Sequence, residues 1–230
     1  MNRLIVSLST TSSVMNNQIG TAIAIAWPET FCKQPGSWYD NLNALLGFNK
    51  NGYYKVGHAA LVLISHKKQE AHYYDFGRYH APFQHGRVRS AVTDHELKIN
   101  TIAKIKNEKV TNLLEILNEL NHNESCHGDG VLIAGQTSIN FKSAQQKVLE
   151  LQESCPLPYG PFDLKGTNCS RFVNSALLAG KPSLLKRFIL KLTISSTPMW
   201  NIKAIGERIK LEKIEQNNIS SEVVLTPAQQ

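Results

Sequence analysis

Cys169 and His58 are the two residues whose types and settings can do nucleophilic chemistry together. Cys169 opens CSRFVNSALLAG (169–180), a segment with helical spacing that stops at Gly180 with Pro182 just beyond. A thiol at a helix start feels unpaired backbone N–H groups and the positive end of the helix dipole, and both favour the reactive thiolate. The same N–H groups suit the oxyanion that forms when sulfur attacks an acyl carbon. The plainer alternative is a small apolar cysteine on the inner face of the helix. His58 stands in VGHAALVLI at the mouth of an apolar strand, where an imidazole can face a helix start and serve as base. Its plainer alternative is a histidine that caps a strand.

A base of this kind needs a third group to orient its ring. The returning strand, AHYYDFG, offers His72 and Asp75. A turn centred near residues 67–68 brings Asp75 close to the level of His58 and leaves His72 nearer the turn. Side chains alternate along a strand, so a slip of one residue changes the answer. The geometry favours Asp75, with an exposed carboxylate paired to Arg78 as its plain reading.

Around this nucleus stand residues suited to holding substrate. Arg78, His80, His85, Arg87 and Arg89 cluster in FGRYHAPFQHGRVRS. Arginine forks match carboxylates and phosphates, which makes Arg78 and His80 candidate contacts for an anionic group. The other reading is a loop pinned by Arg–Asp pairs, for instance to Asp94. Tyr54, with Trp27, Trp38, Tyr39 and Tyr53, is a candidate lining for an acyl or peptide groove, or else core. Asn168 is the polar approach to the thiol. The spacing of His58, His72, His80 and His85 matches no metal signature, and nothing in the chain calls for a cofactor. Cys126, beside His127 in a loop, is a rival thiol without an evident partner strand.

The elements that must position these groups follow from pattern. GTAIAIAWPE (20–29) suits a buried strand closed by Pro28, and residues 56–79 suit a β-hairpin with HKKQ as its turn. A short helix is expected around Tyr39–Leu46, a strand over 97–105, a helix over 110–122 and a strand over 130–136. FKSAQQKVLELQES (141–154) reads as a helix capped by Ser138 or Asn140, followed by a Pro/Gly loop and the Cys169 helix. SLLKRFILKL (183–192) is apolar, basic and helical, and lies either on the domain or on an anionic membrane surface. Strands and helices mix without βαβ alternation, which points to α+β with a mostly antiparallel sheet. The expected organisation is a flexible 1–18, one domain over 19–212 and a frayed 213–230.

Composition bounds the rest. Apolar residues make up 42 % and charged residues 19 %, which supports a globular core and excludes disorder. The formal net charge is +7, which suits an anionic surface, but no helix-turn-helix, zinc or ribonucleoprotein motif argues for nucleic acid. Four scattered cysteines without a C-x-x-C pair read as reduced thiols. The run LIVSL after Arg3 is too short for a signal peptide, and 19–27 is too short to span a bilayer. A monomer in the cytoplasm is expected, with secretion left open.

The ordered pairing of G-H with an apolar run, then a polar returning strand, then N-C-x-x-F-V resembles the circularly permuted papain-like thiol hydrolases. These are permuted relatives of the NlpC-type peptidases and include the lecithin:retinol acyltransferase group. The matching residues are His58 with its strand and Asn168, Cys169, Ser170, Arg171, Phe172 and Val173. The blocks GHAALVL, YYDFGRYHAPFQHGR and GTNCSRFVN are also similar to a bacterial family of that superfamily. The resemblance implies a papain-like fold, Cys169 as nucleophile and His58 as base. It implies acyl transfer or hydrolysis at an amide or ester, on a cell-wall peptide, an isopeptide or a lipid ester. In the acyltransferase group the third residue is usually a second histidine, which points to His72 where the hairpin points to Asp75. The competing expectation is a binding module of the same fold, without turnover, that takes an anionic ligand through the arginine loop.

Overall fold

The computed structural model describes residues 18–33, 45, 49–50, 52–54, 56–126, 128–161, 163, 165–193, 197–206 and 208–211. The expected helix around Tyr39–Leu46, Trp38, and the tail after residue 212 lie outside these, apart from Leu45. In chain order the strands are β1 (Ile19–Trp27), β2 (Cys32–Lys33), β3 (Asn49–Lys50), β4 (Tyr53–Tyr54), β5 (His58–Ser65), β6 (Glu70–Gly77), β7 (His85–Ser90), β8 (Ile105–Lys106) and β9 (Lys109–Val110). Helix α1 (Leu113–His122), β10 (Leu132–Asn140), α2 (Phe141–Glu153), β11 (Leu157–Pro158), α3 (Cys169–Ala179), α4 (Leu184–Lys191), α5 (Pro198–Ile205) and β12 (Arg208–Leu211) follow.

The fold is α+β. A seven-stranded antiparallel sheet has the order β11-β7-β6-β5-β1-β10-β12. Its centre is apolar on both faces because both are covered. Along β5, Ala59, Leu61 and Leu63 join one core with Phe172, Val173, Ala176 and Leu177 of α3. Ala60, Val62 and Ile64 join a second core with Ile116, Leu117 and Leu120 of α1. Period-two alternation thus sends successive residues into different layers, which explains why β1 and β5 read as continuous apolar runs.

The hairpin register is Ala60↔Asp75 through Ser65↔Glu70, so the turn is centred where the sequence placed it. Asn140 caps α2 by accepting from the Ser143 amide at 3.0 Å. Two expectations fail. Of the segment 97–105 only Ile105 lies in a strand, at the start of β8: the Glu119 carboxylate takes the Asn100 and Thr101 amides at 2.7 and 2.9 Å, and Asn112 takes the Lys104 amide at 2.7 Å. Side chains there satisfy the backbone that a ladder would otherwise pair. The real strand is β7, inside the stretch that began as an expected loop. Its arginines disguise it, and both have acidic partners. The Asn112 side chain is drawn to Lys104, and α1 begins at Leu113, three residues later than the pattern suggests.

Candidate active site

Gly57 sets His58 in place. Its φ is +75°, and a Cβ there would lie 2.8 Å from the Trp27 carbonyl oxygen and 3.0 Å from Pro28 Cα. Only glycine takes that conformation in that space without strain. His58 then pairs with Trp27 across β1 and stacks on its indole, with ring centroids 5.9 Å apart. The edge-on Tyr79 ring, at 6.4 Å, encloses another side of the imidazole.

Asp75 lies on the same face of β6 as Tyr73 and points its carboxylate at His58. Its Oδ2 is 3.3 Å from His58 Nε2 and accepts from Tyr73 Oη at 3.0 Å. Arg89, opposite Asp75 on β7, donates Nε to Oδ1 at 3.0 Å and Nη2 to Oδ2 at 2.6 Å. Arg89 also donates to the Ser125 carbonyl at 3.0 Å, and its guanidinium lies 3.6 Å over the Tyr79 ring. Asp75 is wholly buried and Arg89 nearly so, and a buried carboxylate persists as an anion only with such partners.

Cys169 approaches from α3. Asn168 caps that helix, its side chain accepting from the Arg171 amide at 2.9 Å. The cap leaves the Cys169 and Ser170 amides as first-turn donors with no intrahelical acceptor. The loop before it is held close by Gly166, where a Cβ would lie 2.2 Å from the Pro158 carbonyl oxygen. Thr167 donates to that oxygen at 2.9 Å, and Arg171 Nη1 donates to the Asp163 carbonyl at 2.7 Å. From α5, Asn201 donates to the Ser170 carbonyl at 2.9 Å and braces the first turn from below.

The Cys169 thiol lies beside the His58 ring, near enough to act on its protonation. With Nε2 turned to Asp75, Nδ1 is the nitrogen left for the thiol. Burial disfavours a charged imidazole, but the hydrogen bond with Asp75 and the nearby Cys169 thiol outweigh it and raise His58 to about 9. Burial likewise opposes the Asp75 anion, yet His58 and Arg89 hold the carboxyl below its ordinary value. The cluster can therefore carry a charged imidazole beside a sulfur at a helix start, above a fixed carboxylate.

A family model described as "Type VI secretion system effector TseH-like" matches residues 22–184. The chain belongs to that family. The matched span includes Cys169, His58, Asp75 and Arg89. Among solved structures, the crystal structure of the type VI secretion system effector TseH is similar in fold. Its TM-score is 0.56 at 18 % identity, over 85 % of this chain and 93 % of that one. Among curated proteins, none matches.

In this TseH-like chain the remaining expected residues distribute unevenly. His72 pairs with Leu63, five residues along β5 from His58, on the opposite face of the sheet. There it lies 6.1 Å from the Phe141 ring and 3.6 Å from Glu70, apart from the Cys169 cluster. Arg78 stands beside the cluster, 5.4 Å over the Tyr159 ring. His80 is exposed just after β6 with φ +48°. Tyr54 is buried and pairs with Cys32 across β2 and β4. Arg87 clamps Asp94 with two bonds of 2.7 and 2.6 Å, so that part of the arginine loop is pinned as its plain reading has it. Asn168 is occupied as a helix cap. Burial pushes the Cys126 and Cys32 thiols up to about 12, and Cys126 lies in the core opposite α3. Among the described residues no three His, Cys, Asp or Glu gather as for a metal ion.

Sequence reasoning missed Tyr73, Tyr79 and Tyr159, and it set Arg89 in a substrate-binding or ion-paired loop without seeing its place on Asp75. The signals were present: Tyr73 and Asp75 share one face at a spacing of two, and Arg89 repeats the spacing from Arg87. They became legible only once β7 was known to be a strand.

Proposed function

We propose that this chain is a cysteine-dependent hydrolase or acyltransferase of papain-like type, acting on an amide or ester bond through a Cys169 thioester. The observation that carries the reading is His58 held between the buried Asp75 and Cys169. Cys169 Sγ attacks the acyl carbon, and the thiol proton resides on His58. The first-turn amides of α3 receive the developing oxyanion. His58 returns the proton to the leaving amine or alcohol as the C–N or C–O bond breaks. A water or acceptor hydroxyl then gives its proton to His58 and cleaves the thioester. Asp75 keeps Nε2 bonded and the ring aimed, and Arg89 keeps Asp75 ionised.

Membership of an effector family supports export by a type VI apparatus, with work done outside the producing cell rather than in its cytoplasm. Cell-wall peptides are then the first substrate class to test, ahead of isopeptides and lipid esters. The test is electrophilic labelling with mass-spectrometric mapping, run beside digestion of purified peptidoglycan with separation of the released peptides. Selective modification of Cys169 that His58→Ala suppresses, with peptide release lost in both Cys169→Ala and His58→Ala, is expected. Cys169 no more reactive than Cys32, with His58→Ala changing nothing, overturns it and leaves a binding module.

A further inference from the structure

The helix α4 is turned with its apolar side to solvent. Leu190 is buried, and Asn174 on α3 donates to its carbonyl at 3.2 Å, which fixes the rotation of the helix. Leu184, Leu185, Phe188 and Leu192 are left 59–76 % exposed. At 3.6 residues per turn these four fall within an arc of roughly 100°. Single exposed leucines need no explanation, but four large side chains on one arc form a patch.

Along the chain, the segment that carries this patch has charges of one sign, and the acidic residue that shares a pocket with α4 is Glu108, beside Lys186. Between Asp163 and Glu207 the chain has Lys165, Arg171, Lys181, Lys186, Arg187, Lys191 and Lys203 and no acidic residue. Taking those seven from the chain's 25 Lys and Arg leaves 18, which the 18 Asp and Glu balance. The whole formal excess of +7 therefore belongs to the segment that carries α3, α4 and α5. Lys181 and Lys191, at the two ends of α4, and Lys203 on α5 are exposed.

We infer that α4 is an interfacial anchor that lays Leu184, Leu185, Phe188 and Leu192 into an anionic phospholipid surface, with Lys181 and Lys191 meeting the headgroups. An apolar arc flanked by cations on a short helix is the physical form of such anchors. A two-fold contact with a second copy would set one cationic rim against another, which like-charge repulsion opposes. No helix is long and apolar enough to cross a membrane among the described residues, so the contact is peripheral. The inference does not depend on Cys169 chemistry.

Co-sedimentation of the full chain with phosphatidylcholine vesicles, with and without half phosphatidylglycerol, tests it. Binding to the anionic vesicles at least tenfold stronger than to the neutral ones, and weakening with added salt, is expected. L185S/F188S should lose that binding tenfold or more with an unchanged circular dichroism spectrum and melting temperature, since both side chains are exposed. K181E/K191E should lose the preference for anionic lipid, and C169A should bind like the unaltered chain. Equal binding to both vesicles, or full binding by L185S/F188S, overturns the inference. So does a dimer in light scattering that L185S/F188S dissolves, which would give the face to a second copy.

Discussion

Asp75 lies across from Ala60, two residues past His58, and its carboxylate reaches back along the sheet to His58 Nε2 at 3.3 Å. That offset lets a buried β6 residue orient an imidazole at the open end of β5. Asp75→Asn keeps the shape and removes the charge, so Arg89 is left without its anion. A loss of ~10²–10⁴ in kcat is expected, with labelling of Cys169 slowed in parallel. A variant with full turnover would reduce Asp75 to a fold residue.

The protonation of His58 gives a pH prediction with a definite sign. Its native value is raised to about 9 from an ordinary 6.5. The charged imidazole therefore contributes stability that is fully present below about 6.5 and is lost as pH rises through about 9. Melting temperature should fall over that window, and His58→Gln should flatten the fall. The alkaline limb of kcat/KM should lie near the same value and shift downward in Asp75→Asn, because the carboxylate helps hold the proton.

His72 provides the control. It sits on the opposite face of the sheet from His58 and Asp75, five residues along β5 from His58. His72→Ala should leave kcat/KM within about twofold and the Cys169 labelling rate unchanged. A large loss would return the orienting role to a second histidine, as the resemblance to the acyltransferase group implied.

The Cys169 helix, the His58 strand and the hairpin turn were legible because each carries a local signature: a cap and a glycine stop, an apolar run, a polar tetrapeptide. The place of Asp75 near His58 was legible because a two-stranded register follows from one turn. Strand β7 was not, since Gly86, Arg87 and Arg89 read as loop until Asp94 and Asp75 are seen to neutralise the arginines. Asn168 shows the same limit. Its chemistry fits either substrate or cap, and only the Arg171 amide at 2.9 Å shows it engaged as a cap. The rotation of α4 was illegible for a related reason: periodicity gives an apolar face, but the bond from Asn174 decides which way it turns.

Arg89 is the test of how the buried charges are held. It binds both Asp75 oxygens and the Ser125 carbonyl and stacks on Tyr79. Arg89→Met leaves the buried Asp75 anion without its main partner. A destabilisation of ~3–5 kcal/mol is expected by denaturant titration. Arg89→Lys keeps the charge but loses the fork, so it should recover part of the stability and little of the activity. Equal rescue of both would mean that charge alone, without geometry, sets the His58 orientation.

Gly57 carries the backbone part of the same requirement. Its φ of +75° and the 2.8 Å approach of the Trp27 carbonyl oxygen leave no room for a methyl group. Strain of this kind costs ~1–3 kcal/mol where the surroundings hold the conformation. In Gly57→Ala the chain can absorb the strain or shift β5 away from Trp27. The first outcome lowers melting temperature by ~2–4 °C per kcal/mol and spares turnover. The second moves the His58 ring off Cys169 and lowers kcat far more than stability. The stacking of His58 on Trp27 favours the second, because the ring and the clashing carbonyl belong to the same pair of residues. Comparing the fall in kcat with the fall in melting temperature for Gly57→Ala separates them, and a variant that loses only stability would show that His58 is aimed by Asp75 alone.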